Sequence, residues 1–391
     1  MSFLPPLLLH YFVTYRCNCR CRFCDIWQIP APQKFHANVE DVFRNLYDAR
    51  RLGVRFVDFT GGEPLLHDDL PDMLKYAKKL GYQTTVTTNC LRYVKESGRL
   101  RGWVDFLHFS LDALDARQHD ALRGRSVFDQ VMHSLDVARD LGESPDLLFT
   151  VSSENINQIV PLADFALALG LMLVVNPVFS YAAVPHLDVE LLKKLEDYAA
   201  RPFVYVNTAF HRLRRLGGNQ RRAPRCRVVD SAIVMSPDNK VILPCFHFQQ
   251  QALEIGGELQ ENFQMQQSVL ASRSLNFSRA CNQIRGFAKN ALTQRAYSKS
   301  FNKLRQIRHS SSWRFYQKNQ GRFDFCQGCT LNCYFDPSFL YYVDAYFWSS
   351  LLAKSRYWWD KNIRRNLEQK KLDHRPAKEI AAEIMENYDL T

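Results

Sequence analysis

No apolar run in this sequence is long enough to cross a bilayer, so a helical membrane-spanning protein is excluded. No segment repeats at a fixed period, which removes solenoids and propellers. The opening residues MSFLPPLLLHYF lack a basic n-region and a small-residue cleavage site. A cytoplasmic, reducing compartment is therefore expected, where cysteines stay as thiols. Acidic side chains are scarce in one region: residues 201–330 carry 6 Asp plus Glu against 21 Lys plus Arg, within a formal net charge of +11. That stretch invites an acidic partner (a phosphate-bearing substrate, anionic lipid or nucleic acid) or else is a solvated basic face. Hydrophobic residues make up 46% of the 391, enough for a sizeable core in two or three domains.

What is present in excess is thiol, and it is clustered. TYRCNCRCRFCDIW places Cys17, Cys19, Cys21 and Cys24 within eight residues, too close for most disulfide pairings without strain. Cysteine clusters in a reducing compartment mean metal or catalysis. Cys17, Cys21 and Cys24 have the spacing C-x3-C-x2-C, with Cys19 left over. Three thiolates on one loop can hold three irons of a 4Fe–4S cube and leave the fourth open. A zinc knuckle is the alternative, although zinc sites usually draw ligands from two separated arms.

Around this loop the chain alternates strand and helix. LLLHYFVTY, VRFVDFT, YQTTVTT, VDFLHFSL, DLLFTV and LMLVVNP read as strands. NVEDVFRNLYDARRLG, LPDMLKYAKKLG, VFDQVMHSLDVARDLG and IVPLADFALALG read as helices between them. Such alternation implies a parallel sheet, open or closed into a barrel, with chemistry at the C-terminal strand ends. The cysteines, FTGGEPLL, TTNC and FSLDALD all fall at such ends, so distant motifs converge on one rim.

The cysteine spacing, with Phe23 before the last cysteine and GGEP after the next strand, resembles the radical S-adenosylmethionine (radical SAM) superfamily. The resemblance implies a partial (β/α)6 TIM-like barrel, an α/β fold over residues 1–205. It implies S-adenosylmethionine on a three-cysteine 4Fe–4S cluster and a 5′-deoxyadenosyl radical that abstracts hydrogen from a substrate. It implies metal ligation by Cys17, Cys21 and Cys24. Gly61, Gly62 and Pro64 would allow close backbone approach to the cofactor, Glu63 would accept from its ammonium, and Phe23 would pack on its adenine. SLDALDARQHDALRG is similar to the family's fourth-strand segment, which puts Ser110 at the ribose, Asp112 beside it and Arg123 at the cofactor carboxylate; Ala113 stands where glycine is usual. TTNC resembles a Thr-Asn-Gly strand end, bringing in Asn89. Cys90 replaces that glycine, and a thiol facing the pocket there could return a hydrogen atom to a product radical; filling a gap is the alternative.

Beyond the barrel, CRVVDSAIVMSPDNKVILPC reads as a hairpin turning at Pro237-Asp238-Asn239, and CQGCTLNC supplies C-x2-C-x3-C. Together, Cys226, Cys245, Cys326, Cys329 and Cys333 resemble the SPASM and twitch extensions. They imply a second, auxiliary 4Fe–4S cluster in residues 206–339, with one cysteine to spare and zinc as the rival metal. A basic, Gln-rich stretch at about 249–322 reads as a helical insertion, without an aromatic-interleaved motif for nucleic acid. Cys281 within it has no assigned role.

Residues 340–391 read as a helical tail. SFLYYVDAYFWSSLLAKSRYWWDKNIRR is either a helix docked on the barrel or an interfacial helix, with Lys354, Arg356, Arg364 and Arg365 facing an anionic membrane. The expected partners are a one-electron donor such as a flavodoxin or ferredoxin and a lipid, isoprenoid or peptide substrate. A non-enzymatic iron–sulfur electron carrier or zinc module is the alternative; it gives Glu63 no purpose.

Overall fold

The computed structural model describes residues 4–30, 35–179, 188–255 and 303–388. Cys281 and most of the insertion expected at 249–322 lie outside them. Seven strands follow one another in parallel order: β1 (Leu8–Thr14), β2 (Phe56–Gly61), β3 (Gln83–Thr88), β4 (Phe106–Ser110), β5 (Asp146–Val151), β6 (Leu173–Pro177) and β7 (Val204–Val206). The first six coincide with the strands read from the sequence. β7 was not legible, because three residues are too few to show a period.

The intervening helices have the stripe and caps that their sequences dictate. Val39–Arg51 starts where the Asn38 side chain accepts from the Glu40 and Asp41 amides, and it buries Val42, Leu46 and Ala49 on the sheet. Leu70–Lys79 buries Leu70, Met73, Leu74 and Ala77 in the same way. The result is an α/β fold on a parallel-dominated sheet, with a helical C-terminal region.

The cysteine-flanked hairpin joins this sheet. Its strands β8 (Ala232–Met235) and β9 (Lys240–Leu243) are antiparallel, and β10 (Gln251–Glu254) continues from β9. β8 pairs in parallel with β1, so the described sheet runs β10-β9-β8-β1-β2-β3-β4-β5-β6-β7. Asn239 has φ 61°, the left-handed turn conformation that asparagine tolerates. This pairing places the second cysteine group beside the first strand.

The tail takes the docked form of its two readings. Ala345–Trp359 is a helix that packs inward through Tyr346 and Ser350. The cations that an interfacial helix would turn to lipid are turned to the protein. Lys354 meets Asp336, Arg356 donates to the Ala200 carbonyl, and Arg364 pairs with Asp360 at 2.8 Å. Arg365 is half-buried within reach of Asp146's charge, and Lys361 pairs with that fully buried carboxylate at 2.6 Å. A buried carboxylate cannot be left unpaired, and that requirement outweighs exposure of the basic stems. Outward, the tail is apolar: from Val343 to Leu367 every exposed residue is apolar, aromatic, Ser or Asn, including Trp348, Leu351, Leu352, Trp358 and Trp359. Among the described residues, no helix is long and apolar enough to cross a membrane.

Candidate active site

A cavity of about 290 Å³ opens at the C-terminal ends of the parallel strands. Cys17, Cys19, Cys21 and Cys24 all line it. Their loop follows β1 and is clamped from two sides. The Gly62 and Glu63 amides donate to the Thr14 and Arg16 carbonyls at 2.9 and 2.8 Å. The Arg20 and Arg22 amides donate to the Arg123 and Leu122 carbonyls at 3.1 and 3.0 Å.

The glycines of GGEP serve this clamp. A Cβ on Gly61, whose φ is 153°, would stand 2.0 Å from the Thr14 carbonyl oxygen; one on Gly62 would stand 2.2 Å from that of Arg16. They permit close approach of the cysteine loop, and both also line the cavity. Pro64 is buried at the first position of the short turn Pro64–Leu66 and shapes the backbone without lining the cavity.

Glu63 is buried but lines the cavity. Its carboxylate accepts from Thr88 Oγ1 at 2.8 Å, the Asn89 amide at 2.8 Å and the Leu65 amide at 3.1 Å. Burial still pushes its pKa up to about 7, against the pull of those donors. A cation arriving from the cavity would restore the charged form. Asn89 lines the cavity as well and holds the cysteine loop, donating to Asn18 Oδ1 at 2.7 Å.

On the opposite wall, Arg123 lies 2.6 Å from Asp112, its Nη1 is 3.8 Å from Cys21 Sγ, and its guanidinium sits 5.2 Å from the centre of the Phe23 ring. Burial works against the Arg123 charge, but Asp112 and Cys21 outweigh it and keep the group protonated. Asp112 accepts from the Thr150 amide at 2.9 Å and does not line the cavity, so it acts through Arg123. Ser110 and Phe23 both line the cavity. Cys19 donates to Cys21, which with the Arg123 charge pulls the Cys21 thiol below its ordinary range; burial pushes Cys17 up to about 12 and Cys24 to about 11.

Cys90 does not face the pocket. It is fully buried in the core with φ 68°, and its sulfur lies 3.9 Å from the Thr88 carbonyl. Its left-handed backbone is one that glycine adopts without strain.

The second cysteine group gathers from three segments. Cys226 lies within electrostatic range of Cys329, Cys245 and Cys326, and Cys245 within range of Cys329, Cys326 and Cys333. Cys333 interacts most with Asp58, and within this group only Cys333 lines the cavity. Burial raises these thiols, Cys326 to about 12 and Cys329 to about 11. Among the described residues, no three His, Cys, Asp or Glu side chains form a ready single-ion site.

His10, Thr60, Thr150, Asn176 and His247 also line the cavity and were missed in the sequence. One signal was available: His10 interrupts an otherwise apolar buried strand, and its Nδ1 lies 3.0 Å from Asp58 Oδ2, its register partner on β2.

Residues 11–166 match the family model described as the Radical SAM superfamily. This segment is a radical SAM domain. Among curated proteins, the GTP 3',8-cyclases of Corynebacterium glutamicum are similar: that of strain R is 33% identical over 181 residues, 42% of this chain and 47% of the relative. The cyclase of strain ATCC 13032 is 32% identical over 178 residues, covering 41% and 46%. The match therefore spans about half the length of these relatives. The crystal structure of Streptococcus suis SuiB bound to its precursor peptide SuiA has the same fold, with TM-score 0.50, 20% identity, and coverage of 63% of this chain and 61% of SuiB. SuiB bound to S-adenosylmethionine gives TM-score 0.50 over 65% and 63%. The radical SAM family implies S-adenosylmethionine and one 4Fe–4S cluster. The residues fit that pair: three thiols on one clamped loop face a cavity that also presents a carboxylate and a guanidinium.

Proposed function

We propose that this chain is a radical SAM enzyme whose substrate presents an apolar group to the cavity. The observation that carries the reading is the convergence of Cys17, Cys21, Cys24, Glu63 and Arg123, from the segments that follow β1, β2 and β4, on one cavity. S-adenosylmethionine on a three-thiolate 4Fe–4S cluster supplies, on one-electron reduction, a 5′-deoxyadenosyl radical that takes hydrogen from a substrate. Cys17, Cys21 and Cys24 would hold the iron. Glu63 would accept from the methionine ammonium, Arg123 would meet its carboxylate, Ser110 would touch the ribose, and Phe23 would pack on the adenine. The remaining wall includes Phe12, Leu148, Val178 and Phe179, with Phe12 stacked on Phe246 at 4.0 Å, and this apolar side excludes water from the reacting radical.

With dithionite and S-adenosylmethionine, the reconstituted protein should release 5′-deoxyadenosine; a simple electron carrier or zinc module would release none. Glu63→Gln should weaken cofactor binding by roughly 10- to 100-fold, the worth of one hydrogen bond to a charged group, without altering the cluster spectrum. The pH dependence has a definite sign. In the free protein Glu63 is neutral below about 7 and charged above it, so affinity should fall as pH drops through that value. A flat profile in wild type would remove the ammonium role from Glu63.

For the second thiol group we assign Cys226, Cys245, Cys326 and Cys329 to an auxiliary 4Fe–4S cluster and leave Cys333, which faces the cavity, as the spare. Full reconstitution should then give ~8 irons per chain, two cubes of four.

The apolar ridge of the tail helix favours a membrane-associated substrate. Its Trp and Leu side chains suit the bilayer interface, and its cations are already bound inward. Binding to liposomes should therefore persist at high salt, and serine at Trp348, Leu352 and Trp359 should abolish it. Protein that stays in the supernatant with anionic and neutral vesicles alike would leave the ridge without a lipid role and favour a peptide substrate.

A further inference from the structure

We propose that the basic face outside the second thiol group docks a small acidic protein that carries one electron, of the flavodoxin or ferredoxin kind. The inference rests on the radical SAM reading above. Two adjoining hollows of about 360 and 660 Å³ open on this face. Arg225, Arg227, Lys318 and Arg322 line one; Arg221, Arg222 and Arg322 line the other. Among the described residues, no carboxylate lines either hollow.

Half of this charge is answered within the chain. Arg221 pairs with Asp324 at 2.6 Å, Arg227 with Asp230 at 3.5 Å, and Arg225 with Asp344. Arg222, Lys318 and Arg322 are exposed, and among the described residues none has a carboxylate at ion-pair distance. Three unanswered cations spread over two open hollows suit the scattered carboxylates of a protein surface, and they would steer such a partner from a distance.

What lies behind the face gives docking there a purpose. Asn219 stitches the arginine loop to the cysteine loop: its Nδ2 donates to the Gly321 and Cys326 carbonyls at 2.8 and 3.0 Å, and its Oδ1 accepts from the Arg225 amide at 3.0 Å. Cys226 sits between Arg225 and Arg227 in the chain, and the Arg221 charge acts on the Cys326 thiol. At the other end of the same group, Cys333 lines the cavity. The thiols thus extend from the basic face to the cavity wall. A carrier docked outside would be oxidised by one electron for each S-adenosylmethionine cleaved to methionine and the 5′-deoxyadenosyl radical, which becomes 5′-deoxyadenosine on taking a hydrogen atom from the substrate. It would enter from a side that leaves the cavity to cofactor and substrate.

The test uses the reconstituted full chain, a reduced flavodoxin and a triple variant, Arg222→Glu, Lys318→Glu and Arg322→Glu. The matched control reverses three exposed cations elsewhere, Lys79, Lys370 and Lys371. Wild type and control should bind flavodoxin in a salt-sensitive complex, and the triple variant should bind at least ~10-fold more weakly. Flavodoxin-driven 5′-deoxyadenosine release should fall in parallel, while dithionite-driven release stays unchanged. Equal flavodoxin binding by all three proteins would overturn the proposal, as would a face that binds an RNA oligonucleotide through these residues and ignores flavodoxin. Absence of 5′-deoxyadenosine with dithionite in wild type would instead sink the radical SAM reading itself.

Discussion

Gly62→Ala should empty the first cysteine loop of iron although it replaces no cysteine. The added Cβ would stand 2.2 Å from the Arg16 carbonyl oxygen, 2.6 Å from its carbon and 2.9 Å from the Cys17 Cβ. All three atoms belong to the loop backbone or its first ligand, so no flexible side chain can swing aside. The loop must lift off β2, taking with it the hydrogen bond from the Glu63 amide to Arg16. Reconstituted iron should drop from ~8 to ~4 per chain, with the second group's signal retained and 5′-deoxyadenosine release lost. Iron analysis and electron paramagnetic resonance on the same sample would check it. Full iron in this variant would mean that the clamp is softer than the geometry says. Gly61→Ala adds a backbone penalty, because φ 153° is a conformation that L residues rarely adopt.

Arg123→Met should destabilise the whole barrel, not only the site. It strands the Asp112 carboxylate, fully buried and otherwise 2.6 Å from the guanidinium, at a cost of about 3–5 kcal/mol. The change also removes the cation beside Cys21 and Phe23. Denaturant titration of the iron-free chain isolates the first effect, and Arg123→Met with Asp112→Asn should recover much of the loss, since the stranded charge is then gone. S-adenosylmethionine binding should stay weak in both variants. A double variant as unstable as the single one would show that the loss comes from packing around Phe23 and Cys21.

The cysteine loop and GGEP were legible in the sequence because cofactor chemistry demands particular residue types at fixed short spacings. The six barrel strands were legible because a buried parallel strand is a short apolar run closed by turn residues. Glu63 could be named from its motif, but its three hydrogen-bond donors and raised pKa could not, since Thr88 and Asn89 arrive from another strand. Cys90 stood between a pocket role and filling a gap because nothing in TTNC reveals its left-handed backbone, and the structure places it in the core. The tail's cations could be read as docked or as facing lipid because a sequence shows charge but not partner: Lys354 meets Asp336, 18 residues away, and Arg356 the Ala200 carbonyl, 156 residues away.

By itself, then, the sequence determined the α/β alternation, the thiol loop and the residue types around it, all of which follow from local spacing and periodicity. Tertiary structure alone decided which strand lies beside β1, that GGEP's glycines accommodate the cysteine loop, that Cys333 reaches the cavity while Cys90 does not, and that the tail shows solvent an uncharged ridge. Each of these depends on contacts between segments far apart in the chain. Such contacts are settled by which buried charges must be paired and which backbones can approach, and neither condition leaves a mark at a single position in the sequence.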